Sequence, residues 1–173
     1  MKTLVVYKSK SGASMYYAEE IARALGGESC HYRSVPPEGG YDLVVYAAGV
    51  NAGKIDSLAR MRAVLEPLGN RFLVAASCLK EPTAEYALEI AKKNGLALEE
   101  LTLMRGRMNM SRLGFLDRTI LKMIRSRIGR KAEKEKTQED REIFNALSFP
   151  TSFTDVKYIL PLVKRARESD KNT

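Results

Sequence analysis

KTLVVYKSKSGASMYYAEEIARAL, residues 2–25, decides the fold. Residues 2–8 are a β-branched, apolar run and read as a buried strand. The Ser/Gly cluster 9–14 ends that strand. Ala18, Ile21, Ala22 and Leu25 then recur at i, i+3, i+4 and i+7, an amphipathic helix stopped by Gly26-Gly27. A strand, a short polar loop and a helix in that order are the opening of a parallel α/β unit.

Outward from there, the same alternation continues. Residues 28–33 are a weaker strand, and Pro36-Pro37 with Gly39-Gly40 force a loop. Residues 42–49 and 71–77 are continuous apolar runs, with a helix between them over 56–66 carrying Leu58, Met61, Val64 and Leu65. Pro82 opens a helix whose stripe is Ala87, Ile90 and Ala91 and which Asn94-Gly95 ends. Residues 98–104 give a fifth strand. Runs apolar on both faces belong to strands covered on both sides, so the expected fold is α/β, a parallel sheet between two helical layers. A last helix is expected over 155–168, capped by Thr154, with Val156, Ile159, Leu160 and Val163 as its stripe. Pro161 inside it requires a kink or a later start.

The chain has 173 residues, 45% apolar and 29% charged, which fits one globular domain, residues 1–173, and excludes collagen, long coiled coil and wholesale disorder. No apolar run approaches the ~18–20 residues that cross a bilayer. The first apolar run is too short for a signal peptide, so export is not expected. Cys30 and Cys78 make neither a disulfide framework nor a metal cluster, which fits a reducing cytoplasm. His31 is the one histidine, so no metal triad or Ser-His-Asp triad is expected.

The net charge is +8, and residues 105–136 carry all of it: eleven Lys/Arg against three acids. The rest of the chain is neutral. A basic segment implies an anionic partner, although a solvated insertion with no partner reads the same. No helix-turn-helix, zinc or RNA-binding motif accompanies it and no aromatics interleave it, so nucleic acid is not expected.

Chemistry is expected where the first strand ends. Ser9-Lys10-Ser11-Gly12-Ala13-Ser14 sets three hydroxyls and a glycine at a helix N-terminus, whose amides lack intrahelical partners and attract phosphate. The loop is not G-x-G-x-x-G and lacks G-K-[ST], which disfavours a dinucleotide fingerprint and a Walker NTPase. An ordinary Ser-capped helix start remains the alternative.

VVYKSKSGASMYYAEEIARAL resembles the opening of a flavodoxin, where a T/S-x-T/S-G-x-T/S loop holds the FMN phosphate. AAGVNAGKIDSL (47–58), MRGRMNMSRLGFLDRTILKMI (104–124) and FTDVKYILPLVKRARE (153–168) resemble the flavodoxin-domain family that includes the bacterial quinone-dependent protoporphyrinogen oxidase. The resemblance implies a flavodoxin-like three-layer sandwich of strand order 2-1-3-4-5, with a basic helical insertion, 105–150, after the fifth strand. It implies that Ser9, Ser11, Gly12, Ala13 and Ser14 hold the FMN phosphate, with Lys10 adding a charge or lying in water. It implies that Gly49, Val50, Asn51, Ala52 and Gly53, after the third strand, and Ser77, Cys78 and Leu79, after the fourth, border the isoalloxazine. Neither loop has an aromatic residue, a departure from flavodoxins that implies looser binding and a flavin easier to reduce. Tyr16 and Tyr17 lie nearby and could equally be core or surface. Cys78 would touch flavin yet is expected to be an unreactive buried thiol. No catalytic side chain is required, because the electron chemistry belongs to the flavin.

Within the insertion, residues 113–128 read as a helix at ~100° per residue. Leu113, Leu116, Ile120, Leu121, Met123, Ile124 and Ile128 fall on one side, and Arg118, Lys122 and Arg125 on the other. Such a helix docks on an anionic membrane or a partner, with Arg118, Lys122 and Arg125 as the contact, or packs back on its own domain. Arg105 and Arg107 could receive the carboxylates of a porphyrinogen-like substrate. The sequence thus supports an FMN oxidoreductase passing electrons to a quinone or other acceptor, cytoplasmic or peripheral on the inner face of the membrane. The alternatives are a flavodoxin electron carrier served by a reductase, or a fold that has lost FMN. The charged stretch 130–141 is expected as a loop or an exposed helix.

Overall fold

The computed structural model describes residues 1–108 and 110–170; Asn109, inside the expected insertion, lies outside them. Five parallel strands, β1 (Thr3–Lys8), β2 (Glu28–His31), β3 (Leu43–Asn51), β5 (Phe72–Cys78) and β6 (Leu101–Arg105), form one sheet in the order β2-β1-β3-β5-β6. That is the expected 2-1-3-4-5 order. A two-residue strand, β4 (Lys54–Ile55), folds back antiparallel on the end of β3.

The pleat divides the core. Leu4, Val6, Tyr46, Ala48, Val74 and Ala76 face α2 (Leu58–Leu65) and α3 (Ala84–Asn94). Val5, Val45, Ala47, Leu73 and Ala75 face α1 (Ala13–Leu25) and α6 (Leu160–Asp170). Successive strand side chains point to opposite faces, so both apolar sets are buried at once. This is why the runs showed no polar alternation.

Several boundaries differ from the sequence reading, each for a local reason. β2 stops at His31, because the Ser34 amide bonds back to the His31 carbonyl and turns the chain. Residues 98–100 are a 3-10 turn, closed by Glu100 Oε2 accepting from the Ala97 amide at 2.8 Å, so the fifth parallel strand starts only at Leu101. The C-terminal helix starts at Leu160 and places Pro161 in its first turn, where no amide is needed. A 3-10 turn, Val156–Ile159, precedes it and is capped by Asp155, not Thr154. Val156 and Leu160 are consequently exposed, and the buried stripe is Ile159, Leu162, Val163 and Ala166.

The insertion leaves the sheet after β6 and returns to the same place. β7 (Arg107–Met108) pairs antiparallel with β8 (Thr151–Ser152), and the Phe153 amide donates to the Gly106 carbonyl. Between them lie α4 (Phe115–Gly129) and α5 (Gln138–Ser148). The charged stretch 130–141 becomes a 3-10 turn at Glu133–Glu135 and the start of α5, capped reciprocally by Thr137 and Asp140.

The expected apolar side of α4 is split. Leu113 and Ile128 are buried and Leu121 is half-buried, while Leu116, Ile120, Met123 and Ile124 are exposed. The cause is that α4 rests on α5 along one narrow seam, and a Cβ at Gly129 would come 3.2 Å from the Phe144 ring. A single neighbouring helix covers one stripe and leaves the next uncovered.

Candidate functional site

The carboxyl ends of β1, β3, β5 and β6 bring together most of the residues singled out by sequence. Gly12 is the N-cap of α1 at φ 90, a left-handed conformation that a side chain resists. Its amide donates to Ser9 Oγ at 3.0 Å, which curls the loop back on itself. No side chain caps α1 and its first turn carries no acid. The helix therefore presents its N-terminal amides and partial positive charge at the mouth of the sheet.

Ser14 is buried, and its Oγ lies 3.0 Å from Ser77 Oγ at the end of β5. That bond joins the start of α1 to the residues expected as a loop after the fourth strand, of which Ser77 and Cys78 prove to be the last residues of β5 and only Leu79 lies beyond it. Gly106, missed by the sequence reading, completes the corner. Its amide donates to the Cys78 carbonyl at 2.6 Å, and a Cβ there would lie 3.6 Å from those of Ala13 and Ser77. Gly49, half-buried in β3, lies beside Ser77. The signal for Gly106 was available: it directly follows the fifth strand.

The second expected loop is corrected. Gly49, Val50 and Asn51 are strand residues, and only Ala52 and Gly53 turn. Both turn residues have positive φ, 49 and 80, the two-residue hairpin geometry. Asn94 holds this turn down: its side chain donates to the Gly53 carbonyl at 2.9 Å and accepts from the Ile55 amide at 2.9 Å. Asn51 and Ala52 are exposed at the hairpin tip.

The cations near the loop are already paired. Lys8 Nζ lies 2.8 Å from Asp56 Oδ1 and 2.7 Å from Ser57 Oγ. Burial pushes the Asp56 carboxyl up, but its bonds to Lys8 and Ser57 outweigh that and hold it below the usual carboxylate range. Lys10 is neither free in water nor aimed into the loop; it pairs with Asp117 in the first turn of α4 at 2.8 Å. Attraction for an anion here comes from the amides of α1 and the hydroxyls of Ser9 and Ser11, not from a net cation.

Arg105 is not available to a substrate. Its side chain is 12% exposed, lies 2.6 Å from Glu142 and 3.1 Å from Glu81, and stacks 3.9 Å from the Phe153 ring centroid. It also donates to the Leu79 carbonyl at 3.3 Å. It ties α5 to the loop after β5. Arg107 is half-buried over the Tyr16 ring at 5.4 Å, with its Nε unpartnered. Arg118 and Lys122 are exposed and Arg125 half-buried on α4; none of the three forms an ion pair among the described residues.

Of the two tyrosines, Tyr17 is core. Its hydroxyl donates to the Arg105 carbonyl and accepts from the Asp155 amide at 3.3 Å; burial pushes its pKa well up. Tyr16 packs edge-on against it, ring centroids 5.2 Å apart. Cys78 is buried, and desolvation pushes its thiol up to about 12, which makes it inert at neutral pH. His31 sits between Tyr7 and Tyr32. No group of His, Cys, Asp and Glu among the described residues could hold a metal, and no described helix is long and apolar enough to cross a membrane.

The donor set suits a phosphate monoester: open helix amides, the hydroxyls of Ser9 and Ser11, and no carboxylate in the loop. Beside it, Gly49, Ser77 and Gly106 keep side-chain bulk low at the carboxyl ends of β3, β5 and β6.

The family is shown by one family model, which matches more than half of the chain. No curated protein matches the chain. Among solved structures it is similar to a flavodoxin from the domain Archaea (13% identity, 86% of this chain and 97% of that one, TM-score 0.43). It is also similar to a flavodoxin, WrbA-like protein from Agrobacterium tumefaciens (12% identity, 96% of this chain and 98% of that one, TM-score 0.42). The family model described as the flavodoxin domain matches residues 4–137, which span the phosphate-type loop, all five parallel strands but for the first residue of β1, and the first insertion helix. The chain belongs to the flavodoxin domain family, and that membership points to a flavin cofactor.

Proposed function

We propose that this chain is an FMN-dependent oxidoreductase that takes electrons from a reduced substrate and passes them to a quinone or similar acceptor. Ser9, Ser11 and the first amides of α1 hold the phosphate. Ser14, locked by Ser77, fixes the loop against β5. Gly49, Ser77, Cys78 and Gly106 supply a flat, backbone-lined wall for the ring. Bound FMN would supply the one- and two-electron chemistry; the protein orients it and controls what reaches it.

The observation that carries the enzyme reading is the insertion. It is ion-paired to the phosphate loop through Lys10 and Asp117 and to the loop after β5 through Glu139 and Lys80, with Arg105 of β6 bridging Glu142 and Glu81. An insertion braced at both sides of one mouth shapes what can enter, whereas a carrier needs its flavin edge open. Arg107, half-buried beside Tyr16 with an unpartnered Nε, supports this reading as the residue that would meet an anionic substrate group such as a porphyrinogen carboxylate. One observation favours the carrier instead: Arg105, the other candidate receiver, is fully engaged by Glu81 and Glu142.

FMN titration followed by the visible spectrum tests the cofactor. Porphyrinogen turnover with a quinone, retained FMN binding, and loss of turnover on replacing 107–152 by a short linker would support the enzyme. Reduction by a flavodoxin reductase with no turnover of porphyrinogen would make it a carrier. No visible flavin at saturating FMN would reject both.

A further inference from the structure

α4 carries an uncovered apolar arc. Leu116 is 76% exposed, Ile120 50%, Met123 60% and Ile124 41%, and Phe115 beside them is 76% exposed. At ~100° per residue these four aliphatic positions from 116 to 124 share an arc of roughly 100°. The seam against α5, with Asp117, Leu121 and Ile128, lies next to it. Arg127 falls within the arc at its C-terminal end and Arg130 at its edge, both exposed. Arg118 and Lys122, which the sequence reading offered as the contact, fall on the opposite side.

We propose that this arc docks α4 onto an anionic lipid surface. Three observations favour lipid over a protein groove. The arc is a convex ridge, one helix standing on another, and a ridge suits a deformable surface. Its polar company is cationic: α4 holds a single acid, Asp117, and that acid is turned to the domain and neutralised by Lys10. Arg127 and Arg130 form no ion pair among the described residues, and a long arginine can bury its stem while its guanidinium meets lipid phosphate. Because Lys10 joins the start of α4 to the phosphate loop, the docked helix places that loop close to the bilayer. The proposal does not depend on flavin, so the chain docks with or without FMN.

Flotation of the full chain with phosphatidylcholine vesicles, with and without phosphatidylglycerol, tests it. Binding is expected to the anionic vesicles only, and to weaken as ionic strength rises. Ile120→Ser with Met123→Ser should lower that binding at least ~10-fold, as should Arg127→Glu with Arg130→Glu, while the thermal melt stays unchanged because all four side chains are exposed. Arg118→Glu with Lys122→Glu should do less. Equal binding to neutral vesicles, or indifference to both double substitutions, overturns the proposal. So does a concentration-dependent dimer, formed without lipid, that the Ile120/Met123 substitutions abolish. Flavin binding is read separately, so its failure and the failure of docking are told apart.

Discussion

Lys10 Nζ lies 2.8 Å from Asp117 Oδ2, a contact between groups 107 positions apart in the chain. It joins the phosphate-type loop to the first turn of the insertion helix. Neither residue is buried, so the pair adds little to global stability, about 0.2–1 kcal/mol. Its effect is on where α4 begins relative to the loop.

Lys10→Ala should therefore leave the melting temperature nearly unchanged but loosen the start of α4. Hydrogen exchange by mass spectrometry should show faster exchange in 113–121 and no change in α1. Unchanged exchange in 113–121 would mean that the pair orients nothing.

The loop itself should be far less tolerant. Gly12→Ala places a side chain at φ 90 and should cost about 1–2 kcal/mol. Ser14→Ala leaves the buried Ser77 hydroxyl without its partner at a similar cost, about 1–3 kcal/mol. Both should weaken FMN binding roughly tenfold or more by moving the amides of α1. Thermal melts and an FMN titration check the two effects together.

The Arg105 hub should set the acid limit of the insertion. The Arg105 hydrogen bond, aided by Gln138, holds the Glu142 carboxyl below the usual range. A carboxyl lowered in the folded state stabilises above its unfolded pKa, and that stabilisation is lost as pH falls through the folded value. α5 should stay anchored at neutral pH and release only below the ordinary glutamate range, near ~4. Glu142→Gln should abolish this acid release, and Arg105→Lys should release α5 already at neutral pH, because an ammonium cannot span Glu81, Glu142 and Leu79 together. Hydrogen exchange of residues 138–148 against pH reads both.

Cys78 should resist alkylation. With its thiol raised to about 12 and buried, it holds almost no thiolate at neutral pH. Cys30 is half-buried and its thiol is raised as well, by desolvation first. Iodoacetamide at neutral pH should modify Cys30 first and reach Cys78 only on unfolding, as mass spectrometry of the digested protein would show.

Residues whose role is set by neighbours in sequence were legible. Ser9 and Gly12 stand in one loop between a strand and a helix, and the structure keeps them there, whereas Ala13 and Ser14 of the expected loop are buried in the first turn of α1. Arg105 was misread because its partners, Glu81 and Glu142, lie 24 and 37 positions away and no local pattern announces them. Gly49, Val50 and Asn51 were read as a loop because the two-residue hairpin that lets β3 run on to Asn51, with Ala52 in the left-handed conformation, is held by Asn94, a tertiary partner.

The sequence by itself determined the parallel strands, the helices between them and the open helix start, while the order of the strands was implied only by the flavodoxin resemblance. Periodicity and glycine placement act over a few residues, and burial on both faces leaves a parallel strand no other composition. Only the tertiary structure decided what the insertion does to that mouth. Which side of α4 is covered depends on where α5 lies, and the charges of Lys10 and Arg105 find their partners through space. Ion pairing and surface coverage are relations between distant segments, and their distances exist only once the chain has folded.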